Sequence, residues 1–208
     1  MSGGEPLTCA FDGIASRVDA SGFRSVGFTS AVLGEGVTTT TLGTALSLAA
    51  LRAESVLLVD ANWLQPSLTD DAAAGAAPGL ADYLAKKADL AAIIRLASRS
   101  RLAFVPVGDR TCARPTLRTL SSFLASASAS GRTVVVDLPP LLSGDSFVLP
   151  WAALLDQVFV VLREAATPLP VVQEALARLG PDTTPHIVLN RSAAPAADMA
   201  ALLQAARA

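Results

Sequence analysis

The stretch SVGFTSAVLGEGVTTTTLGTALSLA, residues 25–49, has the order of a strand, a glycine-bearing loop, a threonine and a helix. Glycines allow successive backbone N–H groups to turn inward towards an anion, and the N-terminus of the following helix adds its positive end. Gly34 and Gly36 supply these glycines, and Thr38 lies where a hydroxyl would bind magnesium. The stretch therefore predicts a phosphate-binding loop (P-loop) followed by a helix.

This loop lacks its usual cation. Val37 lies between Gly36 and Thr38, where a working loop has a lysine that reaches the β- and γ-phosphates. Such a contact at ~4 Å is worth about 4 kcal/mol at an effective dielectric constant of roughly 20, before desolvation costs. We expect nucleotide binding to be weak or lost, and turnover to suffer at least as much. A loop that survives only as a scaffold turn without a ligand remains an alternative.

Short apolar runs alternate with helix-like stretches along the chain. The strands are predicted at residues 25–29, 56–60, 102–107, 133–137, 157–162 and 186–190. The helices are predicted at residues 38–52, 80–87, 90–97, 115–128, 168–179 and 196–206. This order predicts an α/β fold of three layers, a doubly wound and mostly parallel sheet that binds its ligand at the carboxyl ends of the strands.

The chain of 208 residues is expected to form a single domain, with an N-terminal arm at 1–24, a core at 25–191 and a C-terminal helix at 192–208. The net charge is −2 and no basic run exceeds two residues, which argues against a nucleic-acid partner. No apolar run is long enough for membrane insertion and the N-terminus has no signal pattern, so we expect a cytoplasmic protein. Two distant cysteines and one histidine argue against a zinc site or a catalytic triad.

Three further motifs indicate a family. VLLVDANWLQPSL (56–68) resembles the second Walker motif of the bacterial tyrosine autokinases of capsule and exopolysaccharide assembly, and TVVVDLPPLLSGDS (133–146) resembles their Walker B segment. DQVFVVLREAATPLPVVQEALARLG (156–180) with HIVLNR (186–191) resembles their closing strands and helix. The resemblance covers residues 25–191 and implies a P-loop NTPase fold of the deviant Walker type.

The resemblance also implies ligands and roles. The cofactor would be ATP or ADP with Mg²⁺, with Thr38 as the direct magnesium ligand and Asp137 binding the ion through water. Asp60 would help to hold magnesium and activate the acceptor. Asp60 and Asp137 are thus the catalytic candidates. The nucleotide-binding candidates are Gly34, Glu35, Gly36, Val37, Thr38, Thr39, and, on the adenine side, Asn190 and Arg191. We expect Glu35, Asp60 and Asp137 to face an anionic ligand without compensation.

The sequence departs from the family pattern at several ligand-side positions. Asn62 replaces the second acidic residue of the second Walker motif and Leu64 replaces its arginine. Val32 occupies the early loop position where partition and septum-site relatives carry another lysine, and the only two lysines of the chain are Lys86 and Lys87. An amide at Asn62 cannot serve as a general base.

The features of tyrosine autophosphorylation and ring assembly are also missing. The chain ends without a tyrosine cluster, and its one tyrosine, Tyr83, is expected to be partly buried in a helix rather than a substrate. The ring-forming glutamate and arginines of the family are not recognisable near the N-terminus, which argues against an octamer and leaves a smaller homo-oligomer open.

Three functions follow from these patterns. The leading hypothesis is a degenerate kinase-like partner that regulates or scaffolds polysaccharide synthesis and export by docking onto a membrane polysaccharide co-polymerase, a chain-length regulator. A second is an active ATPase or kinase in which an arginine, such as Arg163 or Arg191, replaces the lysine. A third is an atypical partition-like ATPase of pilus or flagellar positioning.

Overall fold

The computed structural model describes the backbone of residues 5–97 and 101–190, and its largest feature is a seven-stranded sheet. The strands are β1 (Ser25–Ser30), β2 (Val56–Asp60), β3 (Arg95–Leu96), β4 (Leu102–Val105), β5 (Thr133–Asp137), β6 (Gln157–Arg163) and β7 (His186–Asn190). Their order in the sheet is β3-β4-β2-β5-β1-β6-β7. All pairs are parallel except β3 with β4, so the predicted mostly parallel sheet is confirmed.

Helices cover both faces of the sheet. They are α1 (Glu5–Ala20), α2 (Val37–Leu51), α3 (Ser67–Asp71), α4 (Leu80–Leu84), α5 (Leu90–Ile93), α6 (Leu117–Ala129), α7 (Leu141–Ala152) and α8 (Leu169–Arg178). Residues of α1 and α2 share one core cluster with one face of the strands, and residues of α4 to α8 share a second cluster with the other face. The central strands β1, β2 and β5 are buried at every position, which explains why they are apolar without alternation. The three-layer α/β fold is confirmed.

Helix α1 was not predicted, because residues 1–24 were treated as an arm. It packs along α2, where Gly43 leaves room for the ring of Phe11. Arg52, directly after α2, is buried and holds the end of α1: its guanidinium donates to Asp19 Oδ1 at 2.8 Å and to the Val18 carbonyl oxygen at 3.2 Å. The N-terminal segment is thus part of the packed structure from Phe11 onward.

Some predicted helix boundaries were wrong. The helix predicted at residues 80–87 ends at Leu84, because the backbone turns into the left-handed region at Lys86, where φ is 59°. The helix predicted at residues 90–97 ends at Ile93, and Arg95–Leu96 forms the short antiparallel edge strand instead. Helices α3 and α7 were not predicted. The predicted C-terminal helix lies outside the described residues.

Within the part of the chain that the structure describes, none of the helices combines the length and apolar character needed to cross a membrane.

Candidate phosphate-binding site

The loop between β1 and α2 has the backbone shape predicted from its glycines. Gly34 and Gly36 have φ angles of 84° and 87°, in the left-handed region that glycine adopts without steric cost. Helix α2 begins at Val37, and no side chain caps it. The first intrahelical bond runs from Thr40 N to Gly36 O at 3.0 Å, so the N–H groups of residues 37–39 have no intrahelical acceptor. A helix start of this kind is suited to an anion.

The Glu35 side chain does not face a ligand, contrary to our expectation. It is 2% exposed, and its carboxylate turns back into the base of the loop. Oε2 accepts hydrogen bonds from Ala31 N at 2.9 Å and Val32 N at 3.2 Å. Oε1 accepts from Thr167 Oγ1 at 2.5 Å and, more weakly, from Arg163 N at 3.4 Å. The Glu35 carboxylate is therefore satisfied by donors within the protein. Its bond from Thr167 ties the loop to the segment that follows β6.

Asn190, at the end of β7, holds the loop from a second direction. Its Nδ2 donates to the Glu35 carbonyl oxygen at 3.0 Å. A β-carbon at Gly36 would collide with the same Nδ2, so Gly36 is needed for close approach as well as for its backbone angle. The predicted contact of Asn190 with adenine stays a prediction, and Arg191 lies outside the described residues.

Asp137 lies at the carboxyl end of β5, directly below the first turn of α2. Its Oδ2 accepts from Thr38 Oγ1 at 2.9 Å, and its Oδ1 accepts from Thr41 Oγ1 at 3.2 Å. The side chain is fully buried, and burial, followed by repulsion from Asp60, raises the pKa of Asp137 well above its ordinary value. The structure thus brings together Thr38 and Asp137, two of the predicted magnesium ligands.

Asp60 is the register neighbour of Asp137 on the adjacent strand, and it is also fully buried. Oδ2 accepts from both the backbone N and Oγ1 of Thr69 at 2.8 Å, and Oδ1 accepts from Asn62 N at 3.1 Å. Burial raises the pKa of Asp60 to about 6, although the Thr69 hydrogen bonds oppose this shift. In this structure Asp60 organises the segment between β2 and α3.

The residues that replace the family's charged groups have structural roles. Asn62 Oδ1 accepts from Gln65 N at 2.9 Å and so stabilises the turn after β2. Leu64 is 41% exposed, and its carbonyl oxygen, like that of Trp63, accepts from Arg110 Nη1. Val37 is partly buried and packs against the apolar cluster under α2.

The sequence analysis missed several contributors to the site. Thr41, Thr69 and Thr167 all donate to the buried carboxylates of the site, and Arg110 holds the segment after β2. Thr41 lies in the run of threonines that opens α2, and this was a usable signal because residues three apart, such as Thr38 and Thr41, lie on the same face of a helix. Thr69 and Thr167 carried no such signal, because they reach the site only through the packing of distant segments.

The donor set fits magnesium held jointly with a phosphate. A hydroxyl and two buried carboxylates at neighbouring strand ends are the oxygen ligands that Mg²⁺ prefers, and Mg²⁺ commonly uses one or two carboxylates together with substrate phosphates. Among the described residues no lysine or arginine side chain donates a hydrogen bond to loop residues 31–39. Arg163 is exposed at the end of β6, where its backbone contacts Glu35.

Solved structures share this fold. The VpsO kinase domain aligns with a TM-score of 0.76 and 28% sequence identity, over 89% of this chain and 94% of that chain. The predicted likeness to bacterial tyrosine kinase domains is therefore confirmed. The kinase domain of the Escherichia coli tyrosine kinase ETK shares the fold at a TM-score of 0.70 and 20% identity, over 88% of this chain and 75% of that one.

The same fold also occurs outside these kinase domains. Cobyrinic acid a,c-diamide synthase of Mycobacterium smegmatis, solved with bound ADP and magnesium, has a TM-score of 0.59 and 20% identity, over 80% of this kinase-like chain and 72% of that chain. The sequence matches no protein-family model and no curated protein. The likeness is thus seen through the fold and the ordered motifs.

Proposed function

We propose that this kinase-like chain is a degenerate P-loop protein of exopolysaccharide or capsule biosynthesis and export. It acts at the cytoplasmic face of the membrane as a regulatory or scaffolding partner of a polysaccharide co-polymerase, with weak or lost ATP hydrolysis. One observation carries the proposal: the phosphate loop keeps its left-handed glycines and its uncapped helix start, while Val37 stands at the first helical position.

The residues at the site support binding better than turnover. The free N–H groups at the start of α2 can bind a phosphate oxygen, and Thr38 and Asp137 can orient a magnesium ion that arrives with it. Magnesium would neutralise phosphate charge. Asn62 cannot accept a proton from a hydroxyl nucleophile, and Asp60 already accepts three hydrogen bonds from its own chain. Neither of these two described residues therefore provides a free base for phosphotransfer.

Calorimetric titration with ATP and magnesium tests the nucleotide part of the proposal. The wild-type chain should bind weakly or not at all, and Val37→Lys should bind more tightly. A gross charge contact of about 4 kcal/mol, reduced by desolvation to roughly 1.5–3 kcal/mol, corresponds to an affinity gain of about 10- to 100-fold. Val37→Met is the matched control, because it adds length at the same half-buried position without charge.

Two results would contradict the proposal. Micromolar ATP binding by the wild-type chain with measurable phosphate release would show an active enzyme. No gain for a Val37→Lys variant that unfolds at the wild-type temperature would show that the loop has lost more than its cation. Val32→Lys, at the other lysine position of related loops, provides a second variant if Val37→Lys does not fold.

The partner part of the proposal needs a separate experiment. The wild-type chain, co-expressed with a polysaccharide co-polymerase of its own host, should be recovered with that protein from detergent-solubilised membranes. Recovery should not require added ATP, because a scaffolding role does not depend on turnover. Failure to co-purify with any co-polymerase of the host would contradict the docking role and favour the partition-like alternative.

The position of Arg163 supports one alternative, an active enzyme that uses an arginine. Its backbone lies next to the loop carboxylate of Glu35 and its side chain is exposed. If this alternative is correct, the wild-type chain hydrolyses ATP and Arg163→Gln loses that activity, whereas Arg95→Gln, an exposed arginine on the edge strand β3, does not. Absence of hydrolysis in all three proteins would exclude it.

A further inference from the structure

A second polar cleft lies between the end of α4 and the first turn of α6. Its volume is about 830 Å³, within the range of small-molecule sites. Three cations line it, Lys86, Lys87 and Arg118, together with the hydroxyl-bearing side chains of Tyr83, Thr119 and Ser122. None of these residues belongs to the phosphate loop or to the Asp60 and Asp137 pair. Both lysines of the chain are thus gathered in one cleft.

Lys86 occupies a backbone position that disfavours a side chain. It follows the C-cap residue Ala85 with a φ of 59°, in the left-handed conformation that usually selects glycine after a helix. Within residues 5–97 and 101–190, only two other non-glycine residues, Ala73 and Ala165, have a positive φ. A long charged side chain at such a position is retained at a steric cost, which points to a role for its ammonium group.

The charges in the cleft do not cancel. Among the described residues, neither Lys86 nor Arg118 has a carboxylate oxygen within 4.0 Å. Lys87 is partly compensated, since its Nζ donates to Cys112 Sγ at 2.8 Å and the Asp109 and Asp82 carboxylates lie nearby. Asp89 is the one carboxylate among the residues that line the cleft, and one of its oxygens already accepts from Ala92 N as the cap of α5. Among the residues that line the cleft, three cations thus accompany one carboxylate, and Lys86 and Arg118 are the two cations without an ion-pair partner.

Helix α6 increases this excess. Arg118 is the second residue of α6, and the N-terminus of a helix carries a partial positive charge that disfavours a cation. The capping box of Thr116 and Thr119 satisfies backbone N–H groups there but supplies no negative charge. An anion in the cleft would offset both the dipole and the two unpaired cations.

We propose that this cleft binds a diphosphate-bearing small molecule, at a site distinct from the phosphate loop. Lysine and arginine provide the charge, and the Ser122 hydroxyl provides a neutral donor to a phosphate oxygen. The hydroxyls of Tyr83 and Thr119 already bond to Ser126 Oγ and to the Thr116 carbonyl oxygen. Two unpaired cations match a diphosphate better than a single carboxylate, and the volume leaves room for an attached group. This inference does not depend on the proposed function of the loop.

Inorganic pyrophosphate is the probe, titrated into the full chain without nucleotide or magnesium while backbone amide NMR shifts are followed. We expect saturable shifts at residues 83–89 and 117–122, and weaker affinity as sodium chloride is raised. Any binding at the phosphate loop is read separately from the amides of residues 34–39. Gly36→Val, which blocks that loop, should leave the shifts in the cleft unchanged.

Two variants and one control test the residues. Lys86→Gly and Arg118→Gln should each lower the affinity for pyrophosphate at least 10-fold, whereas Arg95→Gln, an exposed arginine on the edge strand, should not. Lys86→Gly should also unfold at a temperature no lower than that of the wild type, because glycine relieves the left-handed backbone. If Lys86 had only a structural role, Lys86→Gly would bind pyrophosphate as tightly as the wild type does.

Three outcomes would overturn the proposal. The first is that pyrophosphate at millimolar concentration shifts no amide of the cleft. The second is that Lys86→Gly and Arg118→Gln bind it as the wild type does. The third outcome is binding to vesicles of anionic phosphatidylglycerol without binding to pyrophosphate, which would assign the charge to a membrane surface rather than to a soluble ligand.

Discussion

Glu35 makes the most discriminating prediction, because its side chain lies on the opposite side of the loop from the one that the sequence suggested. The change is Glu35→Ala. It removes an acceptor that is 2% exposed and leaves the N–H groups of Ala31 and Val32 without their partner at 2.9 and 3.2 Å. It also removes the bond from Thr167 Oγ1, which joins the loop to the segment after β6.

The expected magnitude follows from these contacts. Hydrogen bonds to a charged group contribute about 1.5–3 kcal/mol each, and the hydroxyl of Thr167 can find another acceptor, so the two backbone bonds dominate. We expect the free energy of unfolding to fall by about 3–5 kcal/mol. For a protein of this size that lowers the unfolding temperature by roughly 9–15 °C.

Thermal unfolding followed by circular dichroism measures this effect against two controls. Glu174→Ala removes an exposed carboxylate that pairs with Arg178 along α8 at 3.4 Å, and it should cost less than about 1 kcal/mol. Glu35→Gln should fall between the two alanine variants, because one acceptor oxygen remains but the new NH₂ group faces backbone or hydroxyl donors.

Unchanged stability of Glu35→Ala would contradict the inward position of the Glu35 side chain. If Glu35 faced the ligand, Glu35→Ala would leave stability unchanged and would increase the affinity for ATP by removing a repulsive charge. A Glu35→Ala variant that is as stable as Glu174→Ala would therefore refute the role of Glu35 as a tie within the loop, and with it the reason why the loop keeps its shape without a lysine.

Two further predictions concern the buried charges. The pKa of Asp137 is raised far above the 3.8 of an ordinary aspartate, so the folded state keeps a proton that the unfolded state loses, and stability should fall as pH rises above about 4. Urea unfolding between pH 4.5 and 8 in EDTA measures this fall in stability. It should be shallower for Asp137→Asn and unchanged for the exposed Asp182→Asn. Arg52→Met should lower the free energy of unfolding by about 2–4 kcal/mol in the same assay, because the buried guanidinium makes four hydrogen bonds. Arg24→Met, at a half-exposed ion pair, should cost less than about 1 kcal/mol. Equal losses for the two variants would contradict this reasoning.

The sequence was sufficient for the central strands β1, β2 and β5 because they are buried on both faces. Most positions of such strands are apolar, as the runs of β2 and β5 are. The phosphate loop was equally predictable, because left-handed backbone angles require glycine and the helix begins directly after it. These features depend on local sequence alone.

The helices that were missed depend on contacts between distant segments. Helix α7 contains Gly144, which has non-helical backbone angles, and Pro150, yet it forms because Trp151 is fully buried in the core. Helix α1 did carry a signal, since Phe11, Ile14 and Val18 have helical spacing, although residues 1–24 were predicted as an arm. Its role became clear only through α2, against which it packs.

Only part of the candidate site could be predicted from the local sequence. The adjacency of Asp60 and Asp137 follows from their positions at the ends of parallel strands, which the motifs placed correctly. The direction of the Glu35 side chain did not follow, because it is set by the two glycines that flank it and by Thr167, which is 132 positions away in the chain. A charged loop residue therefore cannot be assigned to a ligand from its place in a motif.

The structure explains how this loop keeps its shape without a lysine. The loop is held by groups that point into the protein: the carboxylate of Glu35, the amide of Asn190 and the hydroxyl of Thr38 on Asp137. A lysine at position 37 would direct its charge at the phosphates, so its absence removes no internal hydrogen bond, and Val37 contributes an apolar contact under α2. Exchanges at ligand-side positions can therefore accumulate at little cost in folding stability, whereas the inward-facing groups cannot change without loss of the loop.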